Sequence, residues 1–234
     1  MTSGFKRILS SGENESIRES YVSSWIQSRP SNGKLLDVGA GNMPYRKIII
    51  EHGISYTSHD FEKYDGDKSY RGLQSEGWLT SGHDLICDIT ELPLIEYDYV
   101  LCTEVLEHVP DPIEALKAIS GTLRGGGNLL ITVPFASRMH QAPFWFSSGL
   151  SPFWFELHME KFGLEINQLV VAGDFVDMMI QDIPLLMQPL NPKFRIGNGL
   201  TKIIKYKANW LRSRLPKELL ESGGQSVFCV ATKL

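Results

Sequence analysis

The stretch that decides the fold is "LLDVGAGNMPYRK", Leu35 to Lys47. An apolar run closes on Asp37-Val38, the chain breaks at Gly39-Ala40-Gly41, and Pro44 restarts it, which reads as strand, tight turn and helix. Units of this kind bring bare backbone up to a nucleotide at the carboxyl ends of a parallel sheet. The turn alone does not say which nucleotide.

Working outward, strands alternate with helices. Strand patterns start at Lys34 ("KLLDVG"), Ile54 ("ISYTSHD"), His83 ("HDLICD"), Tyr97 ("YDYVLCTE") and Asn128 ("NLLITVP"). Two more start at Leu164 ("LEINQLVVAG") and Gln225 ("QSVFCVATKL"). Alternation of this sort predicts a Rossmann-like α/β fold with helices on both faces of a seven-stranded, mainly parallel sheet whose last strand is antiparallel. Helix ends are punctuated: Ser16 with Glu19 forms a capping box for a first helix within 13–29. Asp111-Pro112 opens one that runs to Leu123, and Ser151-Pro152 opens one that stops at Gly163. Residues 174–222 form a helical insertion before the last strand.

The 234 residues, 42% hydrophobic and 21% charged, suit a single domain, residues 1–234. A net charge of -4 gives no global pull toward nucleic acid or anionic membrane. Cys87, Cys102 and Cys229 sit in apolar strand runs without metal or redox spacing, so reduced thiols in the cytoplasm and no bound metal are expected. The amino terminus lacks a signal-peptide apolar core, and no stretch reaches the ~18 apolar residues of a membrane span.

The ligand is narrowed by what the turn lacks. A dinucleotide fingerprint would carry a third glycine where Pro44 stands, and Met43 occupies another frequent glycine position, which weakens the nicotinamide reading. The absence of Gly-Lys-Ser/Thr removes a P-loop ATPase. Asp60, closing the second strand, suits two ribose hydroxyls. Asp88, closing the third, suits an adenine amine, with Ile89 and Leu92 beside the ring. Each acid taken alone is more simply a strand-end turn residue.

Together these residues resemble the class I S-adenosylmethionine-dependent methyltransferases, type-11-like bacterial group, from about Leu35 to Val171. "LCTEVLEHVPDP" from Leu101 is similar to that family's segment after strand four, and "LRGGGNLLITVP" to its turn into strand five, with Gly125 where proline is usual. The resemblance implies S-adenosylmethionine as cofactor, with Asp37, Gly39 and Gly41 around its methionine part, Asp60 on the ribose and Asp88 on the adenine. The cofactor-binding set is then Asp37, Gly39, Ala40, Gly41, Asp60, Phe61, Asp88, Ile89 and Thr103. A sulfonium cation suits a site holding Asp37 and Glu104 with no lysine in the glycine turn.

Methyl transfer to a hydroxyl needs alignment and removal of a proton. Glu104 and His108, four apart, would share one face of a helical turn and shape the donor side. His140, in a His-x-x-Pro loop that the resembling family often carries, is the acceptor-side base or orienting group. Either imidazole could instead serve a loop carbonyl. Trp145 and Phe146 are the substrate contacts, while Trp154, Leu157 and Phe162 cover the sheet. Tyr21 and Trp25 either close over the cofactor or simply pack.

Between Ile183 and Lys217 lie eight positive side chains and no acid, an isolated basic patch on an acidic chain. Leu200, Ile203, Ile204, Trp210 and Leu211 make residues 200–215 a basic amphipathic helix. A solvated lid is its plain reading; an anionic small acceptor, a sugar diphosphate or a membrane surface are the functional ones, and RNA is disfavoured. The expected reaction is methyl transfer to a hydroxyl or amine of a small, sugar- or glycan-related acceptor. A lipid or quinone methyltransferase at the membrane surface, a cofactor-binding protein without turnover, and a homodimer stay open.

Overall fold

The structure, a computed structural model, describes residues 5–8, 14–74, 81–181, 206–208 and 210–234. The strands are β1 (Lys6–Ile8), β2 (Lys34–Val38), β3 (Ser55–Asp60), β4 (Leu85–Ile86), β5 (Tyr97–Thr103), β6 (Leu123–Pro134), β7 (Leu164–Ala172) and β8 (Ser226–Lys233). They form one sheet in the order β1-β7-β8-β6-β5-β2-β3-β4. β8 runs antiparallel to both β6 and β7, and every other pairing is parallel. The expected seven strands are therefore eight. The addition is β1, a three-residue edge strand lying parallel to β7, too short to carry an alternation signal.

Helices α1 (Asn14–Gln27), α2 (Arg46–Glu51), α3 (Pro112–Gly121), α4 (Pro152–His158), α5 (Phe175–Ile180) and α6 (Lys217–Glu221) flank the sheet. Alternate residues of the central strands face opposite ways. Leu35, Tyr99 and Leu101 meet Val22, Trp25 and Ile26 of α1 and Ile49 of α2, while Leu36, Val38 and Val100 meet Leu116 and Ile119 of α3 and Phe155 of α4. Both faces of β2 are covered, as a central parallel strand requires.

Several local expectations hold and several shift. Asp111 caps α3 by accepting from Ile113 and Glu114 N–H, and Ser151 caps α4 by accepting from Trp154 N–H. α3 stops at Gly121, because Leu123 already pairs with Tyr97. α1 begins at Asn14, ahead of the Ser16 box. In α4 the buried residues are Pro152, Phe155 and His158, whereas Leu157 is 56% exposed: the helix turns Phe155, not Leu157, to the sheet. Tyr21 and Trp25 pack, Tyr21 donating to Gln168 and lying on Phe228, Trp25 set edge-on to Tyr99.

The order of the sheet locates the ligand crevice. From β2 the chain builds outward through β3 and β4, then returns to place β5 on the other side of β2. The topological switch thus lies between the carboxyl ends of β2 and β5. Two segments meet there, the glycine turn after β2 and residues 104–108 after β5.

Of the basic insertion, Lys193, Arg195, Leu200, Lys202, Ile203, Ile204 and Lys205 lie outside the described residues. Residues 206–208 and 210–212 are helical, with Trp210 and Leu211 exposed. Its cations are partly spent within the chain. The Arg214 guanidinium lies 4.3 Å from the Trp210 ring centroid, and Lys217 pairs with Glu221. Arg212 donates to Asp174 at 2.7 Å and to Asp177, two buried acids that form the capping box of α5. No helix among the described residues is long and apolar enough to cross a membrane.

Arg212→Ala would remove the direct ion-pair partner of two buried carboxylates, leaving them the capping-box amides and the more distant Arg7 charge. We expect a loss of about 2 kcal/mol, below the ~3–5 of a fully enclosed pair because Arg212 keeps an edge in water. Thermal denaturation should read that as roughly 4–8 °C, whereas Lys217→Ala, breaking an exposed pair, should stay within about 0.5 kcal/mol. Equal effects would contradict the anchoring role.

Candidate active site

The turn after β2 is held from inside the protein. Gly39 and Gly41 adopt φ of +66° and +50°, left-handed values that favour glycine. Met43 takes +52°, so the position where a further glycine is frequent does have a left-handed backbone here. Three amides of the turn are already engaged: Gly39 N–H with His59 Nδ1, Ala40 N–H with the His59 carbonyl, and Gly41 N–H with Asp60 Oδ2. A phosphate-binding turn needs its N–H groups pointing at the ligand. This one spends them on β3.

His83 clamps the same turn. Its Nε2 lies 2.9 Å from the Gly41 carbonyl and its Nδ1 2.7 Å from Glu62 Oε1. Both partners only accept, so the geometry favours the imidazolium form, in which both ring nitrogens donate. Burial pulls its pKa down, but the bonds to Glu62 and Gly41 and the nearby Asp60 charge outweigh that and raise it. The Glu62 pKa is lowered chiefly by the hydrogen bonds from His83.

Acids gather at the strand ends. Asp37 is buried and accepts from the Tyr56 hydroxyl at 2.8 Å; burial pushes its pKa up to about 7 despite that bond. Glu104, at φ +54°, accepts from Thr132 Oγ1 at 2.8 Å and lies 3.5 Å from the Arg18 guanidinium. Burial raises its pKa, with Arg18, Thr132 and His140 pulling the other way. Arg18 also acts on the Tyr45 hydroxyl. Burial, then the Glu104 charge, hold the Glu107 carboxyl far above its ordinary range.

The donor set fits S-adenosylmethionine. The turn withholds its amides from a pyrophosphate, while the buried Asp37 carboxyl at the end of β2 and the part-buried Glu104 carboxyl after β5 favour a ligand carrying ammonium and sulfonium charge. Gly39, Ala40, Gly41 and Asp37 would hold the methionine end. Asp60 and Phe61 follow at the end of β3, and Thr103 closes β5. Asp60 is buried, one oxygen on Gly41 N–H and the other on Glu62 N–H, so it organises the turn and keeps only second lone pairs for a ribose. Asp88 is exposed and caps a short 3-10 turn through Thr90. Ile89 and Leu92 are buried and belong to the main core cluster.

The other side of the crevice is built by the loop after β6. Leu73 N–H donates to the Met139 carbonyl and Gln141 N–H to the Leu73 carbonyl, so the segment before the undescribed residues 75–80 pairs with this loop. A cavity of about 480 Å³ opens there, walled by Leu73, Glu104, Pro134, His140, Met178 and Met179 among others. His140 donates through Nδ1 to the Arg138 carbonyl at 2.8 Å. The ring of His108 lies edge-on to it at 4.6 Å. His108 Nδ1 donates to the Phe144 carbonyl at 2.5 Å, and burial first, with help from His140, lowers its pKa to about 4.

Glu104 and His108 do not share one face of a continuous helical turn. Glu104 lies outside the 3-10 turn Leu106–His108, its left-handed backbone breaks helical phase, and the carboxylate beside His108 is Glu107, at 3.7 Å. Trp145 and Phe146 do not line the cavity; Trp145 donates to Ser137, and Phe146 is half exposed. Phe61 meets Phe144 edge-on at 4.8 Å, joining the two sides of the site. Sequence reasoning missed Arg18, Glu107, Leu73 and the Met178-Met179 wall. Only Glu107 carried a local signal, its place next to His108.

A sequence model described as a methyltransferase domain matches residues 15–186. A ubiquinone biosynthesis O-methyltransferase of Xanthomonas axonopodis pv. citri (strain 306) is 29% identical over 136 residues, 56% of this chain and 52% of that protein. The chain spans about half the length of the curated relatives it matches. Among solved structures, a putative sarcosine dimethylglycine methyltransferase from Galdieria sulphuraria shares the fold at TM-score 0.55 and 15% identity, covering 93% of this chain and 88% of that one. The [4+2]-cyclase SpnF shares it at TM-score 0.57 and 16% identity, covering 98% and 86%. One fold thus carries differently named activities, and the site has to carry the rest.

The His83 clamp has a pH signature. A raised folded-state pKa stabilises fully below the unfolded value of about 6.5 and loses that stability as pH rises through the folded value. The lowered Glu62 value works oppositely, its contribution fading as pH falls through the acid range. We expect the melting temperature to fall as pH rises above about 6.5 and the fall to flatten in His83→Gln. An unchanged slope in the variant would contradict the clamp.

Proposed function

The chain belongs to the methyltransferase domain family, and from that premise we propose that it methylates a hydroxyl oxygen on an apolar, ring-bearing small molecule of the quinone-precursor type. The observation that carries this is the composition of the cavity. Leu73, Pro134, Ala136, Met178 and Met179 give the cavity an apolar part able to take a ring, and His140 and Glu104, with Ser137, Arg138, Gln181 and Gln225, supply polar groups able to engage its hydroxyl. The printed name of the Xanthomonas relative supports the same acceptor class. A sugar acceptor ranks second, because the aromatic pair expected to stack on it, Trp145 and Phe146, lies outside the cavity.

When bound, S-adenosylmethionine supplies a methyl group already activated on a sulfonium. The chain's work is then placement and proton handling. Thr132 and Arg18 fix the Glu104 carboxyl at the end of β5, on the cavity wall. His140 carries its hydrogen on Nδ1, so its other nitrogen offers a lone pair to take or orient the hydroxyl proton. His108 does not line the cavity; it holds the loop through the Phe144 carbonyl.

The test is transfer of a labelled methyl group to a polyprenyl catechol, run beside nucleotide sugars, with the product located by mass spectrometry. We expect methyl on a phenolic oxygen and a fall in kcat of about 10²–10⁴ in His140→Ala. Methyl found only on sugar hydroxyls would overturn the acceptor class. Cofactor binding with no transfer to any acceptor would favour a binding protein without turnover.

A further inference from the structure

Glu107 is out of place in a stable fold. Its side chain is fully buried, and among the described residues no hydrogen bond from another residue reaches either carboxylate oxygen. Its backbone carbonyl, by contrast, accepts from both Phe146 and Ser147 N–H, so the residue is held firmly while its acid group is left over. Arg18 acts on it only at a distance, being engaged with Glu104. A buried carboxyl without a partner is expensive, and such groups are retained where something binds them.

The two neighbouring imidazoles are set in a complementary way. The Phe144 and Arg138 carbonyls can only accept, so His108 and His140 both carry hydrogen on Nδ1. Their Nε2 atoms are therefore bare lone pairs. His108 Nε2 faces Glu107 Oε1 at 3.7 Å, beyond hydrogen-bond distance and close to the ~3.4 Å edge of a tetrahedron with bonds of about 2.05 Å. One donor atom from each of Glu107, His108 and His140 lies within 4.8 Å of the other two. A cation entering here would displace the proton that burial favours on Glu107 and meet the carboxylate beside the two imidazoles. Backbone carbonyls orienting the far side of each ring are the usual outer support of metal-bound histidine.

We propose that Glu107, His108 and His140 bind a divalent first-row transition-metal cation on the acceptor side of the site. Two imidazole nitrogens and one carboxylate oxygen suit Zn²⁺, Co²⁺ or Mn²⁺ better than Mg²⁺ or Ca²⁺, which take all-oxygen sets. Three protein ligands leave coordination positions for water or an acceptor oxygen. Because His140 also lines the cavity, a hydroxyl coordinated there would lose its proton more readily. That last role rests on the function proposed above; metal binding itself does not.

The experiment is titration of chelator-treated, full-length protein with Co²⁺, read by visible absorption and by metal content after gel filtration. We expect one Co²⁺ per chain with a ligand-field band, displaced by Zn²⁺. Affinity should fall at least tenfold in both Glu107→Gln and His140→Ala. His140 is only half buried, so its variant keeps the test valid if Glu107→Gln fails to fold. No band and no retained metal, or binding unaffected in a folded variant, would overturn the site. Full methyl transfer by protein verified free of metal would remove the role in acidifying the acceptor while leaving the transferase reading intact. Metal binding without methyl transfer would sustain the site and count against that reading.

Discussion

The capture of the glycine turn by β3 is the constraint on which the rest of the site depends. His59 and Asp60 take the amide hydrogens of Gly39, Ala40 and Gly41, and His83 takes the Gly41 carbonyl. A turn secured in this way cannot flatten, and Gly39 must lack a side chain, since a Cβ there would come within 2.4 Å of Val105 Cγ2. Val105 belongs to the segment after β5 that carries Glu104, Glu107 and His108. Close packing of the two segments therefore brings the acids to the switch point of the sheet. It also removes the donors a diphosphate would need, so one arrangement selects for a positively charged ligand and against a nucleotide phosphate.

Crowding these carboxyls carries an electrostatic cost that the chain offsets unevenly. Asp37 receives a hydroxyl from Tyr56, and Glu104 receives Thr132 and the guanidinium of Arg18, brought in by α1. Glu107 receives nothing comparable. This gradient, from satisfied acids at the cofactor side to an unsatisfied one beside two histidines, divides the crevice. One half is finished in the folded protein, and the other is built to be completed by what it binds.

The sequence made the frame readable wherever the signal was local. The apolar run at Leu35, the glycines and the strand-end acids placed the turn, and Asp111 and Ser151 marked helix starts as physical caps. What escaped was long-range or shorter than one period. β1 has three residues and exists through its pairing with β7. Leu157 and Phe155 both fit a helical repeat, and only the packing of α4 decides which is buried. The four-residue spacing of Glu104 and His108 implies one helical face only if the helix is continuous, and the Glu104 φ of +54° breaks it. Arg18 comes from α1, far away in the chain, and no spacing rule could have brought it to Glu104.

The central claim is that this turn takes an adenosyl cofactor with an amino-acid end and refuses a diphosphate. Calorimetric titration with S-adenosylhomocysteine, NAD and ADP tests it most directly, with the wild-type chain and Asp60→Ala compared. The account predicts binding of the first at about -8 kcal/mol, a micromolar affinity, weakened when Asp60 no longer holds the turn, and no heat from the other two. Binding of NAD or ADP as tight as that of S-adenosylhomocysteine would contradict it.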